Sequence, residues 1–140
     1  MLIKQVSVFM ENKPGKIGAI TKVLNEHKID IRAFSIADTC EFGILRMIVR
    51  DPEHTAETLR AAGFTAQLNE VLVAVIEDHI GAFDTVVRLL SKNDIDIRYM
   101  YSFMGEREYK ARVVINAADM KKALVVLQKN DVELLDEASI

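Results

Sequence analysis

The spacing of apolar residues in the first half of the chain switches between the two-residue period of a strand and the period of a helix. Residues 3–10 are rich in β-forming side chains and predict a strand. Ile17, Ile20 and Leu24 then follow helical spacing and predict a helix that buries these three side chains. The same reasoning predicts strands at 29–39, 43–50 and 65–68, and a second helix that starts at Asp51 and ends at Gly63.

The second half of the chain repeats this order. The tetrapeptide Ile29-Asp30-Ile31-Arg32 returns 66 positions later as Ile95-Asp96-Ile97-Arg98. With no gap, the same offset pairs Glu11 with Glu77, Gly15 with Gly81, Leu24 with Leu90 and Arg46 with Arg112. An internal repeat means that the fold consists of two similar units, so it is identified before the fold is assigned. We therefore predict two domains, residues 1–69 and 70–140.

Each copy has the order strand, helix, strand, strand, helix, strand. This order is typical of the split βαβ arrangement, in which an antiparallel sheet carries two helices on one face. The predicted fold class is thus α+β, with two ferredoxin-like βαββαβ sandwiches in tandem. Since a unit of about 60 residues buries only about 60% of its surface, each copy needs further burial.

The second strand of each copy predicts a sheet that is covered on both faces. Phe34 and Ile36 alternate with Ile31, Ala33 and Ser35, so that apolar side chains lie on both sides. The helices cover one face, and the sister copy or another chain must cover the other. We expect a homodimer or a larger homo-oligomer.

Composition excludes several classes of protein. The chain has 140 residues, 50% apolar residues and a net charge of -3. It contains no run of 18 apolar residues, which argues against a membrane span, and its acidic balance argues against a nucleic-acid partner. The N-terminal residues lack the pattern of a signal peptide, and the single cysteine, Cys40, excludes an intrachain disulfide. These features predict a cytoplasmic protein.

Catalytic motifs are not evident in the sequence. The three histidines, His27, His54 and His79, have no further ligand at metal-binding spacing, and Cys40 has no histidine near it in sequence. Nucleotide-binding and nucleophile-elbow patterns do not occur. We predict that the protein is not an enzyme and needs no cofactor or metal.

One loop has the composition of a binding site. Residues 11–17, Glu-Asn-Lys-Pro-Gly-Lys-Ile, lead from a strand into a helix, whose N-terminus favours a carboxylate. Gly15 allows close approach to the backbone, the Asn12 amide both donates and accepts, and Asp30 can accept from an ammonium group. The purely structural alternative is that Asn12 caps the helix, Pro14-Gly15 forms a turn and Asp30 only starts a strand.

The run ENKPGKIGAITKVLNEHKIDIRAFSI, residues 11–36, resembles the start of an ACT domain. That family has an Asn/Asp-x-Pro-Gly loop, an apolar helix and then a strand that opens with Asn or Asp followed by isoleucine. The second copy keeps Asp78 and Gly81 but has Ile80 in place of the proline. The resemblance implies a stand-alone tandem ACT protein, a regulatory module that binds a small-molecule effector at the interface of paired domains. The effector expected from this resemblance is an amino acid.

The resemblance also implies a set of ligand-binding positions. They are Met10, Glu11, Asn12, Lys13, Pro14, Gly15, Asp30 and Ile31 in the first copy, and Ile76, Asp78, Gly81 and Asp96 in the second. Met10 and Ile76 fall where serine-binding relatives have a histidine, so that polar contact is missing. Because the proline is kept only in the first copy, we expect that copy to bind better.

Two alternatives remain open at this point. In the first, the chain is a regulatory subunit that acts on a separate metabolic enzyme through protein contacts and has no ligand of its own. The missing polar groups at Met10 and Ile76 favour this alternative. In the second, more remote alternative, the shared element order indicates an RNA-binding module, but the acidic charge and the lack of the expected aromatic residues in 40–47 argue against it.

Overall fold

The computed structural model describes residues 1–38, 41–104 and 109–140. Thr39, Cys40 and residues 105–108 lie outside the described residues. The strands are β1 (Ile3–Glu11), β2 (Ile31–Asp38), β3 (Phe42–Val49), β4 (Thr65–Glu77), β5 (Ile97–Met104), β6 (Lys110–Ala117) and β7 (Glu133–Leu134). The helices are α1 (Lys16–Glu26), α2 (Pro52–Ala61), α3 (Ala82–Lys92) and α4 (Met120–Lys129), followed by a short 3-10 turn (Glu137–Ser139).

The chain forms two compact units. The first consists of Lys4–Asn69 with Ile140, and the second of Met1–Ile3 with Glu70–Ser139. Strands are neighbours in the order β2-β3-β1-β4 in the first unit and β7-β4-β6-β5 in the second. This is the ferredoxin-like order, so the predicted fold class is confirmed. The two strands predicted around residue 70 are one continuous strand, β4, because nothing in Leu68-Asn69-Glu70 breaks an extended chain.

Each unit has its own apolar core between its helices and one face of its sheet. In the first unit, Ile20 and Leu24 of α1 pack with buried side chains of β1, β3 and α2. In the second unit, Val86 and Leu90 of α3 pack with the corresponding elements. Ile17, predicted to be buried, is 43% exposed, because the first turn of α1 extends past the buried face of the sheet.

An irregularity in β2 changes which side chains share a face. The register shifts between Ile31 and Ala33, so that Ile31 lies opposite Val49 and packs against the core under the helices. Beyond this bulge, Phe34 and Ile36 lie on that same face, opposite core residues of β3. The expectation that Ile31 and Ala33 share a face is wrong, since a bulge adds a residue and reverses the alternation.

The hairpin between the second and third strands is longer in the second unit. Three residues separate β2 from β3, whereas five separate β5 from β6. After the hairpin, equivalent residues are therefore 68 positions apart. Arg46 lies opposite Ser7, whereas Arg112 lies opposite Val75, the equivalent of Phe9. The gapless pairing of Arg46 with Arg112 is wrong for this reason.

The second helix of each unit begins with a side-chain cap, whereas the first helix of each unit has none. The second helix of each unit has an aspartate cap: Asp51 accepts from the His54 amide at 3.0 Å, and Asp119 from the Lys122 amide at 2.9 Å. Gly63, with φ 93°, follows the end of α2 as predicted.

None of the helices in the described part of the chain is long and apolar enough to cross a membrane.

Candidate functional site

The first strand of each unit joins its helix through the same type of turn. In Lys13–Lys16 the amide of the last residue donates to the carbonyl of the first at 3.3 Å, and in His79–Ala82 the distance is 3.2 Å. The third residue is glycine in both turns, with φ and ψ of 84° and -7° at Gly15 and 92° and -14° at Gly81. These angles define a type II turn, in which a positive φ at the third position favours glycine.

The loss of the proline in the second copy therefore leaves the turn type unchanged. Ile80 takes the place of Pro14 at the second position, where proline fits because its φ is already suited to the turn. The Ile80 side chain is fully exposed. The second loop is consequently as well formed a candidate as the first.

We expect Ile80→Pro to stabilise the second unit by about 0.4–1 kcal/mol, because proline reduces the freedom of the unfolded chain at a position whose native backbone already fits it. Urea unfolding of the full chain measures the change. Pro14→Ala is the matched control and should lose a similar amount. A destabilisation by Ile80→Pro would contradict the turn assignment.

The first helix of each unit begins without a side-chain cap. Gly15 and Gly81 occupy the N-cap positions of α1 and α3, and no side chain of the described residues caps either helix. Asn12, expected to cap α1, instead donates from its amide nitrogen to Asp38. The cap prediction is wrong because the Pro-Gly turn delays the helix start to Lys16, out of reach of Asn12. The open amides suit an acceptor oxygen of a ligand.

Side chains of the first unit occupy the space beside its loop. Met10 is 7% exposed, and its terminal methyl group lies 3.2 Å from where a Cβ on Gly43 would stand. The Oδ1 atom of Asn12 is 3.6 Å from that point, and its amide is bonded to Asp38. In the first unit, the Asn12 amide is thus engaged by another side chain, whereas a Cβ at Gly15 would meet nothing within 4 Å.

The second unit has a cavity of about 400 Å³ beside its loop. The cavity lies between the start of α3, the loop and the helix-covered face of β5 and β6. The lining residues are Ile76, Glu77, Asp78, His79, Phe83, Met100, Tyr101, Ser102, Ala111 and Val113. A volume of this size is within the range of small-molecule sites, about 300–1,000 Å³.

The cavity joins an apolar floor to an acidic rim. Ile76, Met100 and Val113 supply apolar surface that packs against the second core. On the rim, Glu77 accepts from Lys110, and this hydrogen bond holds the pKa of the Glu77 carboxyl below its usual range. The Asp78 amide donates to the Tyr109 carbonyl at 2.7 Å, whereas its carboxylate makes no hydrogen bond or ion pair with another described residue. An amphipathic cation or zwitterion matches this arrangement.

Replacement of one side chain explains why the two loops differ. Asp38, the partner of Asn12, corresponds to Met104 in the second unit, which is 93% exposed. Asp78, the equivalent of Asn12, therefore lacks the partner that holds Asn12. The second loop combines an open acidic group with an open cavity.

The aspartates that start the second strands lie at the other end of each sheet. Asp38, next to the Asn12 loop, ends β2, whereas Asp30 precedes its start, roughly 25 Å away for a strand of this length. The Asp30 carboxylate pairs with Arg32 Nη1 at 3.3 Å. Asp30 and the Asn12 loop, both predicted to bind the ligand, therefore do not lie together within the first unit, because β1 and β2 run in the same direction. Asp96 has the corresponding position before β5.

Sequence reasoning missed the residues that line the cavity from the strands and the helix. Met100, Ser102 and Ala111 reach it because of the strand register and the bulge at the start of β5, whereas Phe83 reaches it from the first turn of α3. Phe83 is 51% exposed, and its equivalent in the first unit, Ile17, is 43% exposed. Helical spacing alone does not distinguish these two exposed residues from the buried apolar residues of the same helices.

The chain was compared with protein families, solved structures and curated proteins. The family model described as an ACT domain pair matches residues 1–140. The structure of protein BT0572 from Bacteroides thetaiotaomicron is similar with a TM-score of 0.92 and 36% identity, over 99% of this chain and 95% of that one. The regulatory subunit of aspartate kinase from Thermus thermophilus is similar with a TM-score of 0.63 and 16% identity, over 93% and 94% of the two chains. Among curated proteins, none matches the chain.

Proposed function

Because the chain belongs to the ACT domain family, as a pair of ACT domains over residues 1–140, we propose that it is a regulatory protein that senses a small molecule and catalyses no reaction of its own. The fold supports this proposal, since it is shared with a protein described as a regulatory subunit of aspartate kinase. The observation that carries it is the cavity beside the loop of the second unit, where an uncapped helix start, a carboxylate and an apolar floor converge.

The ligand class that fits this cavity is an amino acid. Its carboxylate matches the first turn of α3, which has no side-chain cap and where the helix dipole favours a negative charge. Its ammonium group matches the Asp78 carboxylate on the rim, and its side chain matches the apolar floor formed with Ile76 and Met100. This assignment reverses the expected ranking of the copies and places the better site in the second.

Calorimetric titration of the full chain with each of the twenty amino acids tests the proposal. We expect one or a few of them to bind, and Asp78→Asn to weaken the binding by about tenfold to a hundredfold through loss of a charge-assisted hydrogen bond. Asp131→Asn, the same change at an exposed residue after α4, is the matched control and should bind as the parent does. Binding of no amino acid, or equal effects of both variants, would contradict the proposal.

The second candidate is a regulatory subunit that works through protein contacts. It is favoured by large apolar side chains exposed on the first unit, with Phe34 63%, Ile36 43% and Phe42 53% exposed. A second copy of the chain or a metabolic enzyme would be the partner that covers them. Titrations in which no amino acid binds would favour this candidate over ligand sensing.

A further inference from the structure

A second cavity of about 410 Å³ lies in the first unit, at the end of the sheet opposite the Asn12 loop. It is bounded by the end of α1, the residues before β2 and the start of α2. The lining residues are His27, Lys28, Ile29, Asp30, Arg50, Asp51, His54 and Thr55. One lysine, one arginine and two histidines thus surround one concave space.

The carboxylates at this cavity form hydrogen bonds with other described groups, whereas the Lys28 and Arg50 side chains do not. Neither Lys28 nor Arg50 has a side-chain hydrogen bond or ion pair with another described residue. Asp51 accepts from the His54 amide at 3.0 Å as the cap of α2, and Asp30 pairs with Arg32 at 3.3 Å. Among the described residues, the donor groups left to receive a ligand are therefore those of Lys28 and Arg50.

We propose that this cavity is a binding site for a small anion that carries a phosphate or carboxylate group. The Arg50 guanidinium presents a planar set of donors that matches either group in a bidentate manner, and Lys28 adds a second positive charge. The His27 ring lines the same cavity, with its Nδ1 atom 2.9 Å from the Val23 carbonyl oxygen. The volume is larger than one phosphate ion needs and accommodates an organic anion.

The second unit does not repeat this group of side chains. The positions equivalent to His27, Lys28, Arg50 and His54 are Asn93, Asp94, Ala118 and Lys122. Because three of these four replacements cannot carry a positive charge, the cluster does not follow from the fold that the two copies share. It is a property of the first unit, and it lies in a different unit from the cavity proposed to bind an amino acid.

Proton NMR of the full chain tests this site directly, because the protein contains only three histidines. Titration with inorganic phosphate, and separately with succinate, should shift the ring resonances of His27 and His54 in a saturable manner. His79, which lines the cavity of the second unit, is the internal reference in the phosphate titration and should not shift there. The two probes separate a phosphate ligand from a carboxylate ligand. No saturable shift with either probe, or an equal shift of all three histidines, would overturn the proposal.

Three variants of the full chain distinguish anion binding at a defined site from a general effect of the protein's net charge. Lys28→Gln and Arg50→Gln should each weaken binding of the better probe by about tenfold, since each removes a charge-assisted hydrogen bond. Lys122→Gln removes the same charge from the second unit and should leave the affinity unchanged. Equal losses in all three variants would overturn the proposal, because they would show an effect of net charge. Amino-acid binding at the second unit should be unaffected in Arg50→Gln, so failure of one proposal does not imply failure of the other.

Discussion

Ser102→Trp should weaken amino-acid binding to the chain by roughly a hundredfold or more, which corresponds to about 2.7 kcal/mol. Ser102 lies on β5 and lines the cavity of the second unit, and its side chain is exposed. An indole group at this position occupies the space that the ligand needs. Since the position is exposed, the substitution should change the free energy of unfolding by about 0.5 kcal/mol at most. Calorimetric titration with the amino acid that binds the parent protein measures the loss.

A matched control comes from the same unit. Ser91→Trp makes the same substitution near the end of α3, at an exposed position outside the cavity lining. Its amino-acid affinity should equal that of the parent protein. Retained affinity in Ser102→Trp would place the ligand elsewhere, whereas loss in both variants would indicate a general effect of the added indole group.

The fold was predictable because its signals are local and occur twice. The helical spacing of Ile20 and Leu24 recurs at Val86 and Leu90, and all four residues are buried. Gly63 ended its helix as expected because its place after the last turn requires a positive φ. A pattern that is repeated in two copies constrains the assignment more than either copy alone.

The register was less predictable, because it depends on irregularities that alternation does not reveal. The bulges fall between Ile31 and Ala33 and between Ile97 and Tyr99, inside the repeated tetrapeptide segments. Each one reverses the face of every later residue in its strand. For this reason the sequence alone placed Ile31 on the wrong side relative to Ala33.

The loop of the candidate site was predictable from the sequence, whereas the residues that surround the loop were not. Glycine at the third position of a turn is a local signal, and both Gly15 and Gly81 adopt the positive φ that it indicates. The difference between the two loops depends instead on residues far away in sequence. Asp38 engages Asn12, whereas its equivalent, Met104, provides no such group to Asp78. No pattern within the loop itself carries that information.

Leu90→Ala should destabilise the second unit by about 2–5 kcal/mol, because it removes a large side chain from a core that can close the gap only in part. Leu90 is 0% exposed and packs in the apolar cluster of the second unit. Its equivalent, Leu24, is 2% exposed and belongs to the separate cluster of the first unit. If each unit depends on its own core, the two substitutions should act on different parts of the chain.

Native-state hydrogen exchange distinguishes the two effects, since it reports local stability amide by amide. In Leu90→Ala, the amides of β6 should exchange faster than in the parent protein, and those of β3 should change less. Leu24→Ala should give the reverse pattern. Val125→Ala, at a position that is 45% exposed on α4, should cost about 0.5 kcal/mol or less and serves as the control. Equal acceleration of β3 and β6 by Leu90→Ala would mean that the units unfold as a single cooperative body, and separate cores would then not imply separate stability.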